Sequence, residues 1–253
     1  MAFDRTMEEL IAEGAAVPVE GWDFGWFEGR ATEQRPPWGY LGLVSERMAR
    51  ARCALDLQTG GGEVLAQIGR PPASLTATEA WLPNLELARR NLGRLGASVV
   101  ATTDRGPLPF AARRFDLIVS RHPITTDWDE LARVLAPGGS YLSQQVGVGS
   151  VRELTDAIMG PQPVSQSRST ERAVADAERA GLRVVDLRQA ALRTEFHDIG
   201  AVVHFLRKVI WTVPDFTVDR YRTELAALHE RIQSAGAFIA YSQRFLIEAV
   251  KPG

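Results

Sequence analysis

Residues 54–65 read ALDLQTGGGEVL. The run from Cys53 to Leu57 is apolar but for Asp56, which suits a buried strand over 52–57. Gly60, Gly61 and Gly62 mark a sharp turn, and Glu63 opens a predicted helix over 62–68. A strand, a glycine turn and a helix N-terminus together let backbone approach a ligand closely.

Outward from this stretch, apolar runs and amphipathic stretches alternate. Strands are expected at 73–78, 97–102, 115–120 and 140–146, then in GLRVVDLRQAAL and in FIAYSQRFLIEAV. Between them the periodicity predicts helices over 82–95, 127–135, 150–159, 170–180, 198–211 and 217–235. Ahead of the first strand it predicts helices over 1–14, ending at Gly14, and over 39–51. Such alternation argues an α/β fold with a mainly parallel sheet covered on both faces. The stretch WDFGWFEGRATEQRPPW, residues 22–38, reads as an irregular aromatic arm.

The glycine turn restricts the ligand. A dinucleotide fingerprint wants G-x-G-x-x-G, and Leu65 stands where the third small residue belongs. A phosphate-binding G-x-x-x-x-G-K-[ST] loop needs a lysine, and none is near. S-adenosylmethionine carries no phosphate. Its site needs a glycine turn after the first strand, an acid after the second for the ribose hydroxyls, and a polar group after the third for adenine. Asp56 with the glycines, Glu79 and Asp104 supply these in order. Glu79 has a second reading as an acid at a helix start, and Asp104 as a turn cap; their joint order favours the ligand.

The series DLQTGGGE, TATE, TTDRGPLPF, RRFDLIVSRH and ELARVLAPGGSYL resembles the class I S-adenosylmethionine-dependent methyltransferases of the type 11 kind, over about residues 50–148. The resemblance implies a Rossmann-like seven-stranded sheet in the order 3-2-1-4-5-7-6 with strand 7 antiparallel. It implies S-adenosylmethionine as cofactor and S-adenosylhomocysteine as product. It carries the methionine-end contacts to Gly60 and Gly62, the ribose acid to Glu79 and the adenine-side acid to Asp104. Thr59, Ala80, Arg105 and Ser120 flank these as further cofactor candidates. Where the family has glycine two places after the first acid, this chain has Gln58, whose side chain narrows the methionine pocket or hydrogen-bonds the ligand.

The residues after the fourth strand face the methyl group in such a fold, and here they are Ser120-Arg121-His122-Pro123. His122 is a candidate base for a hydroxyl acceptor, with pocket shaping as the alternative. The signature N-P-P-Y, which marks enzymes acting on base amino groups and protein glutamine, is absent. One of Gln144 and Gln145 is expected to face the site, since strand neighbours alternate. Trp22, Trp26, Trp38 and Trp211 are candidates for an aromatic wall over a planar substrate, with plain core as the alternative. Arg30 is a candidate for the cofactor carboxylate.

The layout is expected to comprise an N-terminal helical arm or cap over 1–50, an S-adenosylmethionine-binding core over 51–191, a helical insert covering the substrate over 192–236, and the last strand over 237–253. A weaker resemblance links the LPF loop, the insert and the last strand to the ribosomal RNA guanine-N1 methyltransferases, without their zinc module. The first fifty residues hold more acids than bases, and the net charge is -2. A large RNA calls for a basic face, so a small-molecule acceptor is preferred. RNA, or S-adenosylmethionine binding without methyl transfer, stands as the alternative. The single cysteine, Cys53, excludes an internal disulfide, and no apolar run reaches the roughly 18 residues that cross a bilayer. With no basic-then-apolar leader, a cytoplasmic monomer or homodimer is expected. No cluster of ligand residues suggests a metal site.

Overall fold

The structure is a computed structural model describing residues 5–103 and 106–253. Its strands are β1 (Ala31–Glu33), β2 (Cys53–Leu57), β3 (Ser74–Glu79), β4 (Ser98–Ala101), β5 (Phe115–Arg121), β6 (Leu135–Val146), β7 (Arg183–Phe196) and β8 (Phe238–Val250). Its helices are α1 (Met7–Ala16), α2 (Tyr40–Met48), α3 (Leu82–Leu92), α4 (Trp128–Val134), α5 (Arg152–Met159), α6 (Thr170–Arg179), α7 (Ile199–Lys208) and α8 (Arg222–Ala235). The strand order is β1-β7-β8-β6-β5-β2-β3-β4. From β2 onward this is the order that the resemblance implies, with β8 antiparallel to β6.

Among the described residues the sheet has eight strands, not seven. The additional strand comes from the stretch expected to be irregular: Ala31, Thr32 and Glu33 pair antiparallel with Phe196, Glu195 and Thr194. An edge strand of three residues needs only backbone pairing, so its sequence need show no apolar alternation.

The chain divides into two compact units. One holds residues 36–148, 166–190 and 244–253. Of its parallel strands, β3, β2 and β5 are buried on both faces, as covered parallel strands are. Ala54, Leu117 and Leu142 pack on one face with Val44 and Met48 of α2 and Ala88 and Leu92 of α3. Leu55, Ile118 and Tyr141 pack on the other with Trp128, Leu131 and Val134 of α4. Each such leucine, isoleucine, valine or methionine contributes about 1.5–3 kcal/mol on burial.

The predicted helix over 62–68 is absent, and a single 3-10 turn, Leu65–Gln67, stands in its place. Gly60 and Gly62 take positive φ values of 63° and 77°. Only six residues then precede Gly69, with Pro71 and Pro72 close behind, and proline donates no backbone hydrogen bond. So short a stretch cannot repay the nucleation of a helix. The glycine turn therefore has no helix dipole behind it.

The other unit holds residues up to 35, 149–165 and 191–243. In α1, Thr6 and Glu9 form a reciprocal N-terminal capping box, worth about 1 kcal/mol. Gly14 does not end this helix as expected. It lies inside it, where α1 crosses α7: a Cβ at Gly14 would stand 2.2 Å from the carbonyl oxygen of Gly200. Asp198 caps α7, its Oδ1 accepting from the N–H of Ala201 at 2.9 Å.

Candidate functional site

Chain order along the sheet reverses between β2 and β5, and in open α/β sheets ligands bind at the carboxyl ends of the strands at such a point. Here a cleft is lined by Leu57 at the end of β2 and Gln58 after it, Thr78 of β3, Thr125 and Thr126 after β5, and Ser120 and Tyr141.

Asp56 is buried near the end of β2, paired with Ala77 and Val119 on its two sides. Thr59 Oγ1 donates to its Oδ2 at 2.6 Å. Burial pushes the Asp56 carboxyl up to about 7, against the pull of the Thr59 hydroxyl and with help from the nearby Glu79 charge. Glu79 ends β3. Its Oε1 accepts from the N–H groups of Ala80 and Trp81, each at 2.9 Å, and its Oε2 from the N–H of Gly60 at 2.8 Å. This carboxylate therefore ties the glycine turn to the end of β3. A carboxylate has about four lone-pair sites, so ribose hydroxyls would compete with these three bonds. Gly62 is required for packing as well as for its φ, since a Cβ there would stand 2.8 Å from Leu92 Cγ.

Gln58 holds a left-handed φ of 56°, the conformation that glycine adopts most readily. Its Nε2 donates to the Thr125 carbonyl at 2.8 Å, and its Oε1 accepts from the Ile124 N–H at 2.7 Å. The amide thus spans the crevice between the loops that follow β2 and β5.

His122 also has a positive φ, 54°, and its N–H donates to the Gln144 carbonyl at 2.7 Å. Gln144 is buried. Its Oε1 lies 2.8 Å from Trp38 Nε1 and its Nε2 lies 2.9 Å from His122 Nε2. An indole N–H only donates, so the amide oxygen must face Trp38 and the amide N–H₂ must face His122. His122 Nε2 is then the acceptor, and the ring proton sits on Nδ1. Burial, followed by the charges of Arg121, Arg244 and Arg168, holds the imidazole well below its usual pKa.

Gln145 lies on the opposite face from Gln144, with its Nε2 3.5 Å from Tyr141 Oη. Ser120 Oγ is fully buried, 2.7 Å from Tyr141 Oη and 2.8 Å from Ser143 Oγ. Tyr40 Oη donates to the Ser120 carbonyl at 2.8 Å. Asp56, Gln58, Thr59, Gly60, Glu79 and Ala80 are thus gathered at one end of the sheet, and His122 and Gln144 touch each other. Asp104 and Arg105 lie outside the described residues.

Arg30, Trp26 and Trp211 belong to the other unit. Arg30 Nε donates to Asp198 Oδ2 at 2.9 Å and its Nη2 to Glu13 Oε2 at 2.7 Å. The guanidinium also lies 4.1 Å from the Trp26 ring centre. Trp211 packs against Trp22 at 5.9 Å.

Thr78, Thr125 and Tyr141 were not anticipated as site residues. Trp38 was expected only in an aromatic wall, not as a donor to Gln144. The hydroxyls gave no signal, since serine and threonine are common in strands and loops. Among the described residues no group of three or more His, Cys, Asp or Glu is placed to hold a metal ion. No helix among them is long and apolar enough to cross a membrane.

Residues 55–143 match the family model described as "Methyltransferase domain". No curated protein matches the chain. Among solved structures, the presumed methyltransferase BH2331 of Bacillus halodurans is 17% identical with a TM-score of 0.60, over 84% of this chain and 99% of that one. The YcgJ protein of Bacillus subtilis is 18% identical with a TM-score of 0.60, over 84% and 98%. A Haemonchus contortus phosphoethanolamine N-methyltransferase, solved with phosphomonomethylethanolamine and S-adenosylhomocysteine, is 15% identical with a TM-score of 0.50, over 85% and 53%. The fold is that of the class I S-adenosylmethionine-dependent methyltransferases.

Proposed function

We propose that this protein is an S-adenosylmethionine-dependent methyltransferase that acts on a small-molecule acceptor. The observation that carries this reading is the pair of buried carboxylates, Asp56 and Glu79, joined through Gly60 and Thr59 to the turn at the switch point of the sheet. Burial pushes the Asp56 carboxyl up to about 7, and the charge of Glu79 adds to the rise. A cationic ligand opposes that rise, and S-adenosylmethionine bears both a sulfonium and an ammonium group. The donor set therefore fits the cofactor. Gly60 and Glu79 would hold it, with Asp104 as the expected adenine-side acid.

When bound, the cofactor supplies an electrophilic methyl group. The chain's own work is then alignment and exclusion of water. His122, neutral and accepting from Gln144, offers Nδ1–H as a donor, which orients an acceptor rather than deprotonating it through Nε2. The net charge of -2 and the acid excess before residue 50 support a small acceptor over RNA.

Calorimetry with S-adenosylhomocysteine tests the first half of the proposal, and Glu79→Gln should weaken binding about tenfold, as the loss of charge-assisted hydrogen bonds worth roughly 1.5–3 kcal/mol implies. Absence of binding would overturn the reading. Binding with no turnover across an acceptor panel would make the protein a cofactor-sensing module, and methylation of RNA oligomers would move the acceptor to RNA.

A further inference from the structure

We infer that the open edge of β7 seats a second copy of this chain, the two β7 strands pairing antiparallel about a two-fold axis at Leu187.

β7 runs without interruption from Arg183 to Phe196. On its outer side β1 covers only Thr194, Glu195 and Phe196. Gln34 extends that cover by one residue. Its N–H donates to the Arg193 carbonyl at 3.0 Å, and its Oε1 accepts from the Arg193 N–H at 3.0 Å. Among the described residues no strand pairs with residues 183–192 on that side. Long open edges are usually shortened, bulged, covered or armed with charge. This one exposes two apolar side chains, Val185 at 43% and Leu187 at 39%. Between and beside them stand one acid and one base, Asp186 and Arg188.

The backbone fixes which residues face a partner. In an antiparallel pair, every second residue turns both its N–H and its C=O toward the neighbouring strand. On β7 these are the odd-numbered residues, since Arg193 binds Gln34 and the His197 N–H, just past the strand, donates to the Arg30 carbonyl at 2.8 Å. The same alternation turns Val185, Leu187 and Gln189 toward the open edge. A copy centred on Leu187 sets Leu187 against the partner's Leu187, and Val185 against the partner's Gln189. Three such pairs exchange about six backbone hydrogen bonds.

The charges then select this register. Asp186 stands directly opposite the partner's Arg188, and Arg188 opposite the partner's Asp186, at the closer, non-hydrogen-bonded spacing. Within one chain, Arg188 Nε and Nη2 already donate to Asp186 Oδ1 and Oδ2 at 3.1 and 2.6 Å. Their side chains are 48% and 26% exposed, which leaves both able to meet a neighbour. Two copies therefore join two acids and two bases in alternation. Centring the axis on Asp186 or on Arg188 would instead set like charges opposite each other, which destabilises a strand pair. A two-fold interface must be complementary to itself, and Asp-Leu-Arg meets that requirement when read against its own reverse. A pairing of this length buries less than the roughly 1,200 Å² of a standard interface, so the dimer is of the weak, exchanging kind.

The test is sedimentation velocity of the full chain across a hundredfold range of concentration. The expected result is a monomer–dimer equilibrium that moves toward dimer as concentration rises. Asp186→Arg makes both charged positions basic, and Arg188→Asp makes both acidic. Each variant alone should self-associate at least tenfold more weakly than the parent. An equimolar mixture of the two should recover the dimer, because every acid then opposes a base. Leu187→Lys, which brings two ammonium groups together at the axis, should be monomeric. Melting temperatures establish that the variants are folded, and exposed charges cost little stability. A parent that stays monomeric throughout overturns the proposal. A dimer unaffected by either charge variant overturns it in favour of another surface, and a mixture that stays monomeric overturns the register. The measurement needs neither cofactor nor acceptor, so its outcome is separate from that of the methyltransferase reading.

Discussion

The indole of Trp38 donates to Gln144 Oε1 at 2.8 Å, and this bond determines which nitrogen of His122 carries the proton. Because the indole has no acceptor, it leaves the glutamine amide one orientation, and the amide in turn leaves His122 one tautomer. Trp38→Phe removes the constraint. The variant should lose about 1–3 kcal/mol of stability for the buried amide left without its donor. Long-range ¹H–¹⁵N correlation should show only the Nδ1–H form in the parent and a mixture in the variant. An unchanged single tautomer in the variant would mean that other groups set it.

Asp56 gives a pH dependence with a definite sign. Its folded pKa of about 7 lies above the ordinary carboxylate value of 3.8. Between these values the folded chain keeps a proton that the unfolded chain has released, so this group's contribution to stability falls as pH rises from about 4 to about 7. Asp56→Asn should remove that part of the slope, and urea denaturation at pH 5 and pH 8 measures it. Affinity for S-adenosylmethionine should rise from pH 6 to pH 8 in the parent, as Asp56 ionises, and stay flat in the variant.

Gln58 combines a left-handed backbone with a side chain that bridges two loops. Gln58→Ala keeps the unfavourable φ and loses both hydrogen bonds, at a cost of about 1–3 kcal/mol. Gln58→Gly loses the same bonds but recovers about 1 kcal/mol of backbone strain. Thermal melts should therefore rank the parent above the glycine variant, and the glycine variant above the alanine variant. An alanine variant as stable as the parent would show that the bridge contributes nothing.

Arg30 is held by Asp198 and Glu13, and Asp198 and the Arg30 side chain are each only 12% exposed. Arg30→Met should cost about 1.5–3 kcal/mol, the usual range for a charged hydrogen bond, and should leave S-adenosylhomocysteine affinity unchanged. A tenfold loss of affinity with an unaltered melting temperature would instead assign Arg30 to the cofactor.

What was readable in the sequence was the part governed by local pattern. β2 and β5 carry mainly apolar runs that suit a strand covered on both faces, and Gly-Gly-Gly admits little but a turn. The missing helix after that turn was hidden because residues 63–68 have good helical composition, while Gly69 and the two prolines limit its length from outside. β1 was hidden because the partner strand, more than 160 residues away, supplies everything that makes it a strand. Gly14 looked like a helix end because the reason for its missing side chain is the backbone of Gly200. In the site, Asp56 and Glu79 were recognisable by order and spacing. The Gln58 bridge and the Trp38–Gln144–His122 chain were not, since each joins segments whose proximity only the sheet creates.

The position of β8 bears on how the protein is made. It comes latest in chain order of the eight strands, yet it lies between β6 and β7. Until Phe238–Val250 leaves the ribosome, the nascent chain carries β6 with one edge open, and residues 140–146 of that strand await partners in 244–250. Open edges of this kind recruit other chains, and pairing over such sequence separation is slow. Newly made copies should therefore depend on holding chaperones during synthesis, and truncation before residue 238 should give insoluble protein rather than a weakened enzyme.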